Sequence, residues 1–387
     1  MADLRISARH VRLGAAIVAL SLLAVLFIQI LLSKNYVTPA GTPVGGDFAA
    51  FWTAAKAMAA GDMAAIYDPA VFHDWLARIA PPQDRWGLSW QYPHTYFLLI
   101  SFLALTPYGL GYALWTGGGL ALFTASSWRA GVRGAPLLIM LAAPVVFQAA
   151  ITGQNGFLTA SLLLGATLLP DKRPLMAGAC AALLTVKPQL GLLIPIAYMA
   201  GGHWRAFGAA ATGSLLLAGL SITVFGFAPW TAFFGSVFHA GAAVSTGAMP
   251  LFKMPTIFAA FSLAGFPAPA ALAFHALGAI AAIWSTWTIW RRSDNAALKA
   301  AMVCCGAFFI SPYAYYYELV IIAVPIALLA IEDAKNRHWR PYDPLLLAGL
   351  FLTPMLLPGE PAKTGFNIAF AVAAMAFVFV LRRMREI

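Results

Sequence analysis

Charged residues in this 387-residue chain stand in short basic clusters, and the runs between them are apolar and near twenty residues long. Roughly twenty apolar residues at about 1.5 Å each span the ~30 Å hydrocarbon core of a bilayer. Such a pattern leaves little choice of fold, because backbone groups inside the bilayer must be satisfied within the chain, and a helix does this. Composition agrees: 61% of residues are hydrophobic, 10% are charged, and mean hydropathy is +0.80. The expected fold is an all-α polytopic membrane protein with about 12 membrane helices, roughly 10 to 13 being compatible, several of them short or broken. No repeat, linker or soluble domain interrupts the pattern, so residues 1–387 are expected to form one integral membrane domain.

The net charge of +10 would suit nucleic acid in a soluble chain. Here its distribution is the positive-inside pattern, and no nucleic-acid partner is expected. The clusters are Arg5/Arg9/Arg12, Arg129/Arg133, Lys172/Arg173, Arg205, Arg291/Arg292/Lys299, Lys335/Arg337/Arg340 and Arg382/Arg383/Arg385, together 17 of the 24 Lys and Arg residues. Placed on the cytoplasmic side, they put both termini inside. Lys34, Lys56, Arg78, Arg85, Lys187, Lys253 and Lys363 then fall on the far face. The expected location is the inner (plasma) membrane, multi-pass, with membrane lipids as surroundings. The run Leu13–Leu32 after the first cluster reads as an uncleaved signal anchor. Cys180, Cys304 and Cys305 lie in apolar runs, without metal or disulfide spacing.

Two segments must leave and return between basic clusters. Residues 174–200 have one break, Lys187-Pro188, since proline disfavours helix at the residue before it. Each arm is then about 13 residues, or ~20 Å, short of a full crossing. Residues 300–331 break at Ser311 to Glu318 in the same way. The two hairpins are expected to bring Lys187 and Glu318 toward one recessed external site. Residues 94–105 read as a short helix, a re-entrant piece or an interfacial segment, because two full crossings in 94–134 would place Arg129 and Arg133 outside.

Two external regions are expected, 33–93 and 226–267. The first holds five aspartates. Asp47 precedes a helix expected over 49–60, where a carboxylate serves either as a cap or as a reactive group. Tyr67-Asp68-Pro69 reads as a second cap, and Asp62 and Asp74 as solvated. Trp90 to Thr95 forms an interfacial aromatic cluster containing Tyr92 and His94, the histidine read as a boundary hydrogen-bonding residue or a substrate contact. Gly153-Gln154-Asn155-Gly156 breaks an apolar hairpin, either as a polar turn or as a site whose amides bind a sugar or phosphate. His73, His239 and His275 lack ligand spacing, and no Walker loop, dinucleotide fingerprint or nucleophile elbow is present.

These segments resemble glycosyltransferase family 87. The resemblance rests on Gly45-Gly46-Asp47-Phe48, Phe51-Trp52, Gly61 with Ile66-Tyr67-Asp68, and Trp90 to Thr95. It continues through Gly153-Gln154-Asn155, Lys187-Pro188-Gln189 and Ser311-Pro312 with Tyr317-Glu318-Leu319. The ordered set covers residues 45 to about 320, most of the chain. It implies a GT-C-type fold and an inverting transfer from a polyprenyl-phosphate sugar, mannose or another hexose, to a lipid or glycan acceptor outside the cytoplasm. It places the family's catalytic aspartate at Asp47. His94 stands where the family usually has proline, and Glu318 where many members have aspartate. On this reading Asp47 is the base, Lys187 meets the phosphate, and Glu318, Gln154, Asn155, His94, Tyr92 and Tyr317 bind substrate. No cofactor is implied and no metal is required. The competing classes are a lipid or glycolipid transporter or flippase, suggested by broken helices with internal charges, and a glycan polymerase or ligase, which favours more outer-face arginines than Arg78 and Arg85.

Overall fold

The computed structural model describes residues 8–78, 87–245, 250–357 and 366–386. Arg5, Arg85 and Lys363 lie outside them. The described chain is helical, with no strand and only the isolated bridges Lys34–Val37 and Val37–Pro43.

Helix α1 (Ala8–Leu31) leads into a turn and then α2 (Phe48–Ala59), a 3-10 turn at Ala65–Tyr67 and α3 (Pro69–Leu76). The chain returns through the 3-10 turn His94–Tyr96, α4 (Phe97–Ile100) and a second 3-10 turn, Ser101–Leu105. These pieces share an aromatic core of their own, including Phe48, Phe51, Phe72, Trp90, Tyr96 and Phe97. Residues 94–105 are therefore short 3-10 and α pieces rather than one continuous helix. They lie along α2, where Trp52 Nε1 donates to the Thr106 carbonyl at 3.0 Å and Lys56 Nζ to the Ala104 carbonyl at 2.6 Å. One long helix, α5 (Tyr108–Ala130), then carries the chain to Arg129 and Arg133.

The bundle continues with α6 (Ala135–Leu141), α7 (Pro144–Ile151), α8 (Gly156–Leu168), α9 (Pro174–Leu183), α10 (Pro188–Gly191), α11 (Leu193–Gly201) and α12 (Trp204–Phe225). It is completed by α13 (Ala228–Ser245), α14 (Ile257–Leu263), α15 (Ala268–Arg292), α16 (Ala296–Ile310), α17 (Ala323–Asn336), α18 (Asp343–Leu352) and α19 (Ile368–Met384).

Among the described residues, three helices are long and apolar enough to cross a membrane: Arg12–Leu31, Trp204–Phe225 and Ala268–Arg292. They sit at the periphery and expose large apolar side chains such as Leu215, Leu216 and Leu277. A surface of that kind suits lipid rather than water. The centre is built from shorter apolar pieces, among them Gly156–Leu168, Pro174–Val186, Pro188–Gly201 and Ala296–Ile310.

Both central hairpins are visible in their end contacts. Helices α9 and α12 run parallel: Gly178 packs on Ala206 and Ala209, and Gly213 on Ala182. The intervening α10 and α11 must therefore run back, and Asp171 lies 3.7 Å from His203 where they finish. Likewise Asn295 Nδ2 donates to Glu332 at 2.7 Å, closing the base of the α16–α17 hairpin. The two bases share one end, since His203 packs on Trp290, whose indole donates to the Lys299 carbonyl. Lys187 and Glu318 lie at the opposite tips.

Candidate functional site

The site forms where those tips meet residues of the 33–93 segment. Proline at 188 ends the Leu184–Val186 turn, and Lys187 adopts φ −137°, ψ 73° between the two arms. Its ammonium lies 2.8 Å from Glu318 Oε1, with both side chains buried. The other Glu318 oxygen accepts from the Tyr315 backbone N–H at 2.9 Å. Each buried charge thus has a partner, the condition for holding charges in a low-dielectric interior.

Asp47 reaches this pair through glycine packing. Gly45 and Gly46 have φ of +80° and +50°, and Gly153 has +57°. A Cβ on Gly153 would stand 2.5 Å from the Phe48 Cβ and 2.6 Å from the Gly45 carbonyl oxygen. One on Gly46 would come 3.2 Å from the Thr152 Cα. The two turns interlock because neither carries a side chain there, and Gln154 falls beside Asp47 as a result. Gln154 Nε2 donates to Asp47 Oδ2 at 2.7 Å. Its Oε1 accepts from the Tyr92 hydroxyl at 3.0 Å and from Lys187 Nζ at 3.3 Å. One amide therefore joins Asp47 to the Lys187–Glu318 pair.

Asp47 occupies the N-cap position of α2 but makes no capping hydrogen bond; its φ and ψ are helical, −69° and −12°. The side chain is turned into the site instead. Its environment also differs from that of a carboxylate at an open helix end. Burial raises its pKa above the usual 3.8, opposed by the Gln154 hydrogen bond, the charges of Lys187 and Lys253, and Tyr317. Desolvation outweighs these opposing hydrogen bonds and charges. Asp68, by contrast, caps α3 by accepting from the Ala70 N–H at 2.8 Å. Asp62 is half-buried and accepts from the Trp75 indole at 3.1 Å, while Asp74 is exposed.

Tyrosines wall the centre. Lys187 lies over the rings of Tyr92 and Tyr317, at 5.6 and 5.0 Å. Tyr92 stacks on Tyr96, and Tyr315 on Tyr317. Asn155 sits one step outside the Asp47 network: its Nδ2 donates to the Tyr96 hydroxyl at 3.1 Å, supporting the ring on which Tyr92 stacks. His94 is elsewhere, buried among Phe97, Phe225 and Trp230, with no hydrogen-bond partner at either ring nitrogen among the described residues. Sequence reasoning passed over Tyr96, Tyr313, Tyr315 and Gln91, the last accepting from the Tyr313 hydroxyl at 2.9 Å. For the tyrosines the signal was the aromatic density of residues 90–97 and 313–317, and for Gln91 its place in the Trp90 to Thr95 segment. Among the described residues no three His, Cys, Asp or Glu side chains converge as a metal site.

The arrangement offers a half-buried carboxylate, a buried ammonium held next to it through one amide, and stacked rings around both. A carboxylate so held can take a proton from a hydroxyl, a cation can steady a departing anion, and aromatic faces suit the apolar face of a sugar. In sequence comparison, the family model of glycosyltransferase family 87 matches residues 90–312. That span includes Tyr92, Gln154 and Lys187, whereas Asp47 and Glu318 flank it. No curated protein and no solved structure matches the chain.

Proposed function

The chain belongs to glycosyltransferase family 87 and is a membrane glycosyltransferase, and from this we propose that it moves a hexose, mannose or a relative of it, from a polyprenyl-phosphate donor to a lipid or glycan acceptor. Asp47 removes the acceptor's hydroxyl proton. The acceptor oxygen attacks the anomeric carbon from the face opposite the phosphate. The bond from that carbon to the phosphate oxygen breaks, the polyprenyl phosphate leaves with the electron pair, and the configuration inverts. Lys187 stabilises the charge gathering on the phosphate. Glu318 holds Lys187 in place and orients hydroxyls, and Gln154 holds the Asp47 carboxylate.

The observation that carries this reading is the single hydrogen-bonded path Asp47–Gln154–Lys187–Glu318. A carboxylate and an ammonium joined in one site support a base and a phosphate-stabilising cation, the pair suited to transfer from a glycosyl phosphate. The basic clusters gathered at the hairpin bases support an extracytoplasmic site with cytoplasmic termini in the inner (plasma) membrane, with residues 33–93 as the catalytic region of one domain. The test is incubation of purified protein with a panel of polyprenyl-phosphate sugars and a membrane lipid extract, read by mass spectrometry. A hexose mass added to an acceptor with one donor is expected. No transfer from any polyprenyl-phosphate sugar would sink the proposal.

A further inference from the structure

Three charged side chains meet at the centre of the site, and they do not cancel. Asp47 and Glu318 supply two carboxylates, and Lys187 supplies one ammonium, engaged by Glu318 at 2.8 Å. With Asp47 ionised as the base, the centre carries one surplus negative charge. An entering phosphate adds more of the same sign, in surroundings where like charges are poorly screened. One paired lysine does not balance that.

A second cation bears on the same carboxylate. The charge of Lys253 acts on Asp47 alongside that of Lys187. Lys253 is exposed, and among the described residues it forms no ion pair; its ammonium lies 5.7 Å from the centre of the Phe252 ring. Its backbone is held firmly. Lys253 ends the 3-10 turn Leu251–Lys253. Asn367 Nδ2 donates to the carbonyls of Leu251 at 3.2 Å and Met254 at 2.9 Å. Thr256 Oγ1 donates to the Pro312 carbonyl at 3.2 Å, where the tyrosine run that walls the site begins. A long flexible side chain thus stands on a fixed base at the rim of a centre that lacks one positive charge.

We propose that Lys253 is a second phosphate-binding residue, closing on the donor's phosphate from the exposed rim while Lys187 meets it from the buried side. This rests on the lipid-phosphate reading above. The experiment measures binding of a polyprenyl phosphate, and of the uncharged polyprenol of equal length, to the full-length protein in detergent. Wild type is expected to prefer the phosphate. Lys253→Ala should lose roughly 10- to 100-fold in phosphate affinity, the range for a charged hydrogen bond, with polyprenol binding unchanged. Lys253→Arg should keep most of the preference. In transfer assays the Ala variant should raise the donor KM far more than it lowers kcat. An undiminished phosphate preference in Lys253→Ala overturns the inference. So does an equal loss for both lipids, which marks a structural role. A wild type that does not distinguish phosphate from alcohol removes the lipid-phosphate reading itself.

Discussion

Gln154 donates to Asp47 Oδ2 at 2.7 Å although 107 residues separate the two in sequence. The bond orients a carboxylate that makes no cap on its own helix. Asp47→Asn keeps the shape and removes the basicity. It should fold normally and lose at least ~10²-fold in sugar transfer, the lower range for general-base catalysis. Turnover near wild type in a folded Asp47→Asn would move the base elsewhere, with Glu318 next in line.

Replacing the bridge tests the same bond through pH. Burial already raises the Asp47 pKa, so its base form is lost, as pH falls, sooner than that of a free aspartate. Gln154→Glu sets a second carboxylate against it, and like charges raise the pKa further. The acid limb of the kcat/KM profile should therefore move to higher pH. Gln154→Ala should cut kcat roughly tenfold, through loss of a charge-assisted hydrogen bond. An unmoved acid limb in the Glu variant would disconnect Gln154 from the ionisation that controls turnover.

Lys187 and Glu318 tie two hairpin tips together in a buried setting. Removing one partner strands the other, at a cost of about 3–5 kcal/mol. Lys187→Ala and Glu318→Ala should each melt well below wild type in detergent. Lys187→Met combined with Glu318→Gln should recover much of that stability and remain inactive. Single variants that melt with wild type would show that the pair holds nothing together.

Two glycines with positive φ make a controlled pair. Gly153 has φ +57° and no room for a Cβ; Gly202 is left-handed, φ +69° and ψ 21°, with nothing within 4 Å. Alanine at 202 should bring only the left-handed backbone penalty, about 1–2 kcal/mol. Gly153→Ala adds the collision with Phe48 and Gly45, so it should melt lower and lose transfer activity. Equal melting of the two variants would show that the turns have slack.

Orientation is checked by labelling. Asp74 and Lys335 are both exposed, on α3 and near the end of α17. Asp74→Cys should react with an impermeant thiol reagent applied outside intact cells, and Lys335→Cys should not. The reverse result would invert the proposed topology.

Much of the frame was legible in the sequence because it follows from length and charge. Arms of about 13 residues between basic clusters cannot cross and continue, so Lys187-Pro188 and the Ser311–Glu318 break had to be tips. Residues 94–105 were ambiguous because an apolar twelve-residue run fits a short helix or an interfacial piece equally well. Their bonds to Trp52 and Lys56 hold them along α2, and no local pattern records those. Asp47 as a candidate followed from its glycines and helix start, but its release from capping depends on Gln154, a hundred residues away. Gly45 and Gly46 were legible only as part of a resemblance; that they make room for Gly153 is visible only in three dimensions. Lys253 looked like one outer-face charge among several, since sequence gives no measure of which charges face one another.

The interlocked glycines also govern how such a site can drift over generations. A side chain gained at Gly153 has nowhere to go while Phe48 and Gly45 keep their places, and one gained at Gly45 would strike the Tyr112 ring at 2.7 Å. Neither turn can be altered alone without moving Asp47 relative to Gln154. Single substitutions at this corner are closed, and only joint changes on both turns keep the carboxylate in position. Variation among descendants of this sequence is therefore channelled away from this corner, to positions such as Gly117 and Gly118 where a new side chain meets open space.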